Sequence, residues 1–178
     1  MKTRWAPKTL LLLAFLQIGV RAFADPSTDR LAALNAYWKE VSQAVKTGDF
    51  AGYRATCHPK GVLVNGIRGT SYPLTKALAG WEQGFHDTKS GKQSASVEFR
   101  FSQRLGDETT AHETGMFLYI ATDTEGNETR SYIHFEGLLI KEDRWLILME
   151  YQKSRGTAEE WKALDSPQIK LTPSGTSK

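Results

Sequence analysis

The sequence predicts an α+β fold, in which helices come first and a meander of strands follows. Apolar residues recur at helical spacing in 29–47 and again in 74–89. Four later segments are rich in aromatic and β-branched residues, and turn signals near 106, 125 and 142 separate them. This order predicts long antiparallel strands in a curved sheet, with the helices on one face.

The helices are predicted from the spacing of their apolar residues. In 29–47 the stripe follows steps of three and four: Leu31, Leu34, Trp38, Val41 and Val45. Gly48 ends this helix, and Asp49 is placed to cap a short second helix that contains Tyr53. The same spacing in 74–89 predicts a third helix, whose inward residues are Leu74, Leu78, Trp81 and Phe85.

Five strands are predicted between turn residues. One short segment bounded by glycines precedes the third helix, and four longer segments follow it: 61–66, 94–105, 108–122, 128–141 and 144–154. Residues 67–73 are predicted to be a connection. Beyond the last strand, Thr157 and Glu160 have the spacing of a capping box, which predicts a short helix over 158–164. The polar residues after it predict a disordered tail.

The N-terminus has the pattern of a secretory signal peptide. Three basic residues precede an apolar run from Leu10 to Val20, and Ala22-Phe23-Ala24 supplies the cleavage pattern. The alternative is an uncleaved anchor, but the run is about half the ~20 residues that a membrane span needs. We therefore expect cleavage after Ala24, export to a periplasm or out of the cell, and no stable membrane anchor afterwards.

The signal peptide changes what the charge of the chain implies. The whole chain carries +3, but residues 1–24 contain four basic residues and no acid, which leaves about −1 for the remainder. The basic balance is therefore no reason to expect a nucleic-acid partner. Cys57 is the single cysteine, so no internal disulfide is expected. We interpret it as a small buried residue rather than a thiolate that acts with His58.

The turns predict which side chains share a face of the sheet. A hairpin centred between Glu125 and Gly126 would place Phe117 opposite His134. One face is then apolar: Met116, Leu118, Ile120, Ile133, Phe135, Leu139, Leu146 and Leu148. The other face is mixed: Glu113, Phe117, Tyr119, Tyr132, His134, Glu136, Leu138, Ile140, Trp145, Ile147, Met149 and Tyr151. Because the helices can cover only one face, we expect a homodimer to bury the other.

Three stretches also carry a family resemblance. They are "ALNAYWKEVSQAVKTGDFAGYRATCHPKGVLVNGIRG", the third helix after "GTSYPL", and the closing "HFEGLLIKEDRWLILMEYQKS". The first helix ends in Gly48-Asp49, and the last strand has the spacing of a motif matched by Asp143, Trp145, Ile147 and Ser154. On these residues the chain resembles the NTF2-like superfamily, in its SnoaL-like, DUF4440-type branch, over about residues 29–154.

The resemblance implies a cone, with the N-terminal helices packed in the concave face of a curved, mainly antiparallel sheet. The expected organisation is a signal peptide over 1–24, an NTF2-like domain over 25–154 and a C-terminal extension over 155–178. A pocket lies between the first helix and the concave face in such domains, and the convex face commonly pairs in dimers. We assign the mixed face to the pocket and the apolar face to a homodimer.

The resemblance does not fix a reaction, because the superfamily includes both enzymes and non-enzymatic binding modules. Members similar to ketosteroid isomerase need a carboxylate base and a tyrosine, at positions that align near Asn65 and Val41 here. An amide cannot accept a substrate proton as a carboxylate does, so the resemblance disfavours that chemistry.

Three polar residues of one strand form the candidate catalytic group. Tyr132, His134 and Glu136 alternate in "RSYIHFEGLLI", so they share a face at spacings of about 6–7 Å. His134 could act as general acid or base, with Glu136 and Tyr132 polarising a ligand. The alternative, which we favour, is a half-buried histidine in a polar pocket without a catalytic role.

The predicted pocket wall is mainly aromatic and aliphatic: Trp38, Val41, Tyr53, Trp81, Phe85, Phe117, Tyr119, Trp145, Ile147, Met149 and Tyr151. The alternative is that these aromatic residues form only the core. The four histidines show no metal-ligand spacing, so no metal is expected. No glycine-rich phosphate loop or nucleophile elbow indicates a cofactor or a covalent nucleophile.

The sequence therefore predicts an exported domain that binds a small, partly apolar molecule in a cone-shaped pocket. Two alternatives stay open. One is an enzyme of the lyase or isomerase type that uses His134, and the other is a non-catalytic dimerisation module whose cone is filled by side chains. An open cavity would separate the first two possibilities from the third.

Overall fold

The computed structural model describes residues 26–164, which form four helices and one six-stranded sheet. The predicted signal peptide and the predicted tail lie outside these residues. In chain order the elements are α1 Pro26–Thr47, α2 Phe50–Ala55, β1 Cys57–Asn65, β2 Thr70–Pro73, α3 Leu74–Lys89, β3 Gln93–Gly106, β4 Thr110–Asp123, β5 Glu128–Lys141, β6 Trp145–Arg155 and α4 Ala158–Ala163.

The sheet has the strand order β2-β1-β6-β5-β4-β3. Neighbouring strands are antiparallel except β1 and β6, which run parallel. Helices α1, α2 and α3 pack on one side of this curved sheet, which confirms the predicted α+β class. Strand β2 was not predicted, because its residues Thr70–Pro73 lie in the segment that was predicted to be a connection. No helix within residues 26–164 is long and apolar enough to cross a membrane.

Helix α1 lies across the concave face of the sheet as its apolar stripe predicts. All five stripe residues are buried: Leu31, Leu34, Trp38, Val41 and Val45. Trp38 reaches the centre of the sheet, where its ring lies 4.4 Å from that of Phe99 and 5.7 Å from that of Phe135. After α1 the side chain of Asp49 accepts a hydrogen bond of 2.9 Å from the backbone N–H of Gly52, so it caps α2 as predicted.

The register between β4 and β5 differs from the prediction by one residue. Phe117 lies opposite Ile133, and His134 lies opposite Met116. The reason is the length of the loop 123–127. Its five residues are centred on Glu125, whereas the prediction centred the hairpin between Glu125 and Gly126. A shift of one residue turns every side chain of β5 to the other face.

The loop has its own stabilising contacts. The carboxylate of Asp123 accepts hydrogen bonds of 2.9 Å from the backbone N–H groups of Glu125 and Asn127. Gly126 adopts a φ of 87°, a left-handed conformation that glycine takes without steric cost. These contacts favour the odd-numbered loop and thereby set the register.

The predicted sorting of side chains into two faces is therefore wrong. The concave face, which packs against the helices, takes members of both predicted sets: Phe117, Tyr119, Ile133, Phe135 and Leu139. The convex face also takes members of both predicted sets, among them Met116, Leu118, Ile120, Tyr132, His134 and Glu136.

A β-bulge in β6 reverses which side chains of the strand point to the concave face. Ile147 pairs with Leu139, but Met149 pairs with the preceding residue of β5, so Leu148 is an extra residue. Before the bulge, Trp145 and Ile147 therefore share the concave face with Leu139. Met149 and Tyr151, which were predicted to line the pocket, share the convex face with His134.

Helix α4 covers part of the convex face. Its only buried side chain is Trp161, which packs with Met116 and Leu118. Arg100 donates hydrogen bonds of 2.7 and 3.1 Å to the backbone carbonyls of Trp161 and Leu164, which satisfies two carbonyls at the end of the helix. The start of α4 is the capping box of Thr157 and Glu160.

Candidate functional site

A cavity of about 560 Å³ lies between the N-terminal helices and the concave face of the sheet, with an opening to solvent. Pockets for small molecules commonly have volumes of about 300–1,000 Å³ and mostly apolar walls with a few polar groups. Helices α1, α2 and α3 form one side of this cavity, and residues from all six strands form the other. The cone is therefore not filled by its own side chains.

Eight predicted pocket residues border this cavity: Trp38, Val41, Tyr53, Trp81, Phe85, Phe117, Tyr119 and Ile147. Trp145 is buried in the same core but does not reach the cavity wall. Met149 and Tyr151 lie away from the cavity because the bulge at Leu148 directs them to the convex face. Contact between the eight wall residues and a ligand stays a prediction.

Further wall residues were not predicted from the sequence. Gly80 and Gly84 lie four residues apart on α3, and both border the cavity. A Cβ atom at Gly80 would meet no other atom within 4 Å, so the absent side chain leaves open space. The spacing of these two glycines on one helix face is a signal visible in the sequence.

A second group of unpredicted wall residues is polar: Asn65, Arg68, Ser131, Glu150, Gln152 and Arg155. Glu150 and Gln152 reach the concave face only because of the bulge at Leu148, which no local pattern in the sequence marks. The polar wall residues therefore include two cationic groups, Arg68 and Arg155, and one acidic group, Glu150.

Glu150 is the acidic group of the cavity wall. Its carboxylate accepts a hydrogen bond of 2.7 Å from Nε2 of Gln152. Burial raises the pKa of this carboxyl above its ordinary value, and the hydrogen bond from Gln152 opposes that shift only in part. Glu150 is therefore held toward its neutral, proton-bearing form.

Burial also favours the neutral forms of a cysteine and two tyrosines of the wall. Burial raises the pKa of Cys57 to about 12, so its sulfur stays a thiol at neutral pH and is a poor nucleophile. The pKa values of Tyr37 and Tyr53 are raised well above their ordinary range, again mainly by burial. These groups supply hydrogen-bonding and apolar contacts rather than charge.

The predicted catalytic residues lie outside the cavity, and the prediction that they point into the cone is wrong. Nε2 of His134 lies 3.4 Å from Oε1 of Glu160 on α4, beside a separate groove of the convex face. Tyr132 packs near Trp161, with their ring centroids 6.3 Å apart. The shift of register in β4–β5 is the physical reason for this placement.

Glu136 belongs to a cluster of charged groups on the same convex face. Its carboxylate lies 3.1 Å from Nε2 of His112 and 2.6 Å from Nζ of Lys153. The hydrogen bond from Lys153, with that from His112, lowers the pKa of Glu136 below its ordinary value. Glu136 is thus paired with neighbouring side chains and does not orient His134. Within residues 26–164, no group of three or more His, Cys, Asp or Glu residues is arranged to hold a metal ion.

Comparison with known proteins identifies the architecture. No protein-family model matches the chain, and no curated protein matches it. Solved structures do match, among them an NTF-2 like protein of unknown function from Shewanella oneidensis MR-1, which is 18% identical with a TM-score of 0.51. That match covers 70% of this chain and 97% of the other. The chain has the NTF2-like fold.

Two further solved structures match the chain at a similar level. ActVI-ORFA from Streptomyces coelicolor is 14% identical with a TM-score of 0.55, covering 68% of this chain and 93% of that protein. A conserved protein from Planctomyces limnophilus DSM 3776 is 14% identical with a TM-score of 0.59, covering 70% of this chain and 94% of the other. At these identities the likeness concerns the fold alone, and it confirms the resemblance derived from the sequence at that level.

Proposed function

We propose that this NTF2-like domain binds a small, partly apolar molecule inside its cone, without a defined catalytic reaction. The observation that carries the proposal is the cavity of about 560 Å³ on the concave face. An enclosed apolar surface of this size is favourable for an apolar ligand, because binding removes the surfaces of both from water. A dimerisation module with a filled cone would have no such space.

Aromatic rings on β3, β4 and β5 line the cavity and support this proposal. Three rings pack against one another with pairwise centroid distances of 5.6–6.1 Å, those of Phe99, Phe117 and Phe135. Each of them borders the cavity. Such rings supply a large, rigid contact surface for an apolar or aromatic group. Burial raises the pKa of both Glu150 and Cys57, which favours their uncharged forms in this interior.

A proton-transfer enzyme is the second candidate function, and it would depend on Glu150 rather than His134. A carboxyl with a raised pKa inside a cavity is suited to donate or accept a substrate proton. His134 lies on the other side of the sheet, so it has no route to a ligand in the cone. Replacement of Glu150 by Gln would abolish such a reaction while it preserves the shape of the wall.

The test of binding uses protein purified from its native host and analysed by native mass spectrometry. We expect a bound small molecule that is released on unfolding. Ile133→Trp should fill the cavity and reduce occupancy, because Ile133 borders it. Tyr132→Trp is the matched control on the same strand, since Tyr132 lies on the convex face. Two results together would contradict the proposal: native protein that carries no ligand, and equal affinity of the two variants for added apolar compounds.

We also propose that the protein forms a homodimer through the uncovered part of the convex face. Leu105 and Val62 are exposed there, at 50% and 36% of their surfaces, and Leu138 and Met149 extend the same apolar area. Light scattering on the protein without residues 1–24 should give the mass of a dimer, and Leu105→Lys should lower it. A clean monomer at micromolar concentration would argue against the dimer.

Export stays a prediction, to be tested by cell fractionation.

A further inference from the structure

Two arginines border the cavity where the parallel strands β1 and β6 end. Asn65, at the end of β1, pairs with Gln152 of β6. Arg68 follows Asn65 by three residues in the turn between β1 and β2, and Arg155 is the last residue of β6, so both lie beyond the Asn65–Gln152 pair toward the same edge of the sheet. Both arginines are exposed and both border the cavity, which places them at its opening.

These two guanidinium groups have no acidic partner in the part of the chain that the structure describes. Neither takes part in the ion pairs formed within residues 26–164, although Arg100, Arg104, Arg130 and Arg144 all bond to protein groups there. The acidic residue of the wall, Glu150, lies earlier in β6 and accepts a hydrogen bond from Gln152 rather than from either arginine.

The cavity wall is therefore polar on the side of β1 and β6 and aromatic on the side of β3, β4 and β5. The first side carries two cationic groups and the amides of Asn65 and Gln152, whereas the second carries rings such as Phe99 and Phe135. An uncharged ligand would leave the two cations to solvent alone. A ligand with an anionic head and an apolar body would satisfy both sides.

We infer that the cavity binds an apolar carboxylic acid, with its ring or alkyl body among the aromatic residues and its carboxylate between Arg68 and Arg155. This inference rests on the proposed binding function and deepens it. Guanidinium groups bind carboxylates through paired, charge-assisted hydrogen bonds. Because the head lies at the opening, it keeps part of its hydration, and the desolvation cost of the pair is smaller than in the interior.

The first test compares three probes that share one ring: naphthoate, naphthylmethanol and naphthylmethylamine. Calorimetric titration of the full protein at neutral pH should give the tightest binding for naphthoate, by about tenfold over the alcohol. The amine should bind most weakly, and added salt should weaken the binding of naphthoate but not that of the alcohol. Equal affinity for acid and alcohol would overturn the inference and leave the proposed function standing. Absence of binding by all three probes, with no molecule bound to the native protein, would overturn both.

The second test assigns the preference to the two arginines. The double variant Arg68→Gln with Arg155→Gln should bind naphthoate about tenfold more weakly and bind the alcohol as the native protein does. Both residues are exposed, so we expect the variant to fold, which circular dichroism would verify. Arg130→Gln is the control, because Arg130 is exposed, pairs with Glu128 and lies outside the cavity. A preference for naphthoate that survives in the double variant would overturn the inference.

Discussion

Trp38 of α1 donates its indole N–H to the carboxylate of Glu113 on β4, and this bond joins the first helix to the sheet. Glu113 is completely buried and also accepts two hydrogen bonds from Arg104, of 2.6 and 3.0 Å. Arg104 in turn donates to Oδ1 of Asn35 on α1, at 2.5 Å. The buried charge is thus paired and both of its oxygens accept hydrogen bonds, which fixes the wall of the cavity that α1 forms.

Removal of the Glu113 charge should destabilise the protein strongly. In Glu113→Gln the largely buried Arg104 loses its partner, so we expect the free energy of unfolding to fall by about 3–5 kcal/mol. Chemical denaturation followed by tryptophan fluorescence measures this change. Glu128→Gln is the control, because Glu128 belongs to an exposed ion pair that should contribute less than about 1 kcal/mol. A similar small loss in both variants would show that the buried network does not hold α1 in place.

The predictable part of the fold is the part in which only one arrangement buries the apolar residues. The stripe from Leu31 to Val45 fits one helix face, and the turn residues Gly48 and Asp49 end that helix and begin the next. The register of β4 and β5 is different, because apolar residues lie on both faces of these strands. Either pairing would place Phe117 and Met116 among apolar neighbours, so the hydrophobic pattern does not select the loop.

The site was harder to predict than the fold because it depends on two local irregularities. The five-residue loop 123–127 turned His134 and Glu136 away from the cone, although their alternation on one face was predicted correctly. The bulge at Leu148 then brought Glu150 and Gln152 into the cavity and removed Met149. Each feature adds a single residue to a strand or turn, and such an insertion exchanges the two faces without altering the composition of either strand.

His134 should matter for the C-terminal helix and not for the cavity. Its ring faces Glu160 on α4, so we expect His134→Ala to leave ligand binding in the cone unchanged, within about twofold, while it loosens α4. Hydrogen exchange of Ala158–Ala163 measures the second effect. Trp161→Ala is the positive control for release of α4, since Trp161 supplies its buried contact. A large loss of cavity binding in His134→Ala alone would restore His134 as a functional residue of the cone.

Gly48 should tolerate no side chain. Its φ of 67° is in the left-handed region, and a Cβ atom there would collide with the backbones of Phe85 and Lys89 at the end of α3. Gly48→Ala should therefore lower the free energy of unfolding by more than the roughly 1 kcal/mol that the backbone conformation alone costs. Gly126→Ala is a matched control, because Gly126 has a φ of 87° but a methyl group there would meet no atom within 4 Å. Equal losses in thermal stability would mean that the end of α3 moves away from the added methyl group at Gly48 without a loss of free energy.

Glu150 should make the stability of the protein depend on pH. Because burial raises the pKa of Glu150 in the folded state above the ordinary 4.5, the folded protein holds this proton more tightly than the unfolded chain. The resulting stability is fully present below pH 4.5 and is lost as the pH rises through the folded pKa. Glu150→Gln removes that loss, so it should melt at a higher temperature than the native protein at neutral and alkaline pH. Glu108→Gln, at an exposed position, is the control. Melting curves across this pH range that coincide for both variants would contradict a proton-bearing Glu150 in the cavity.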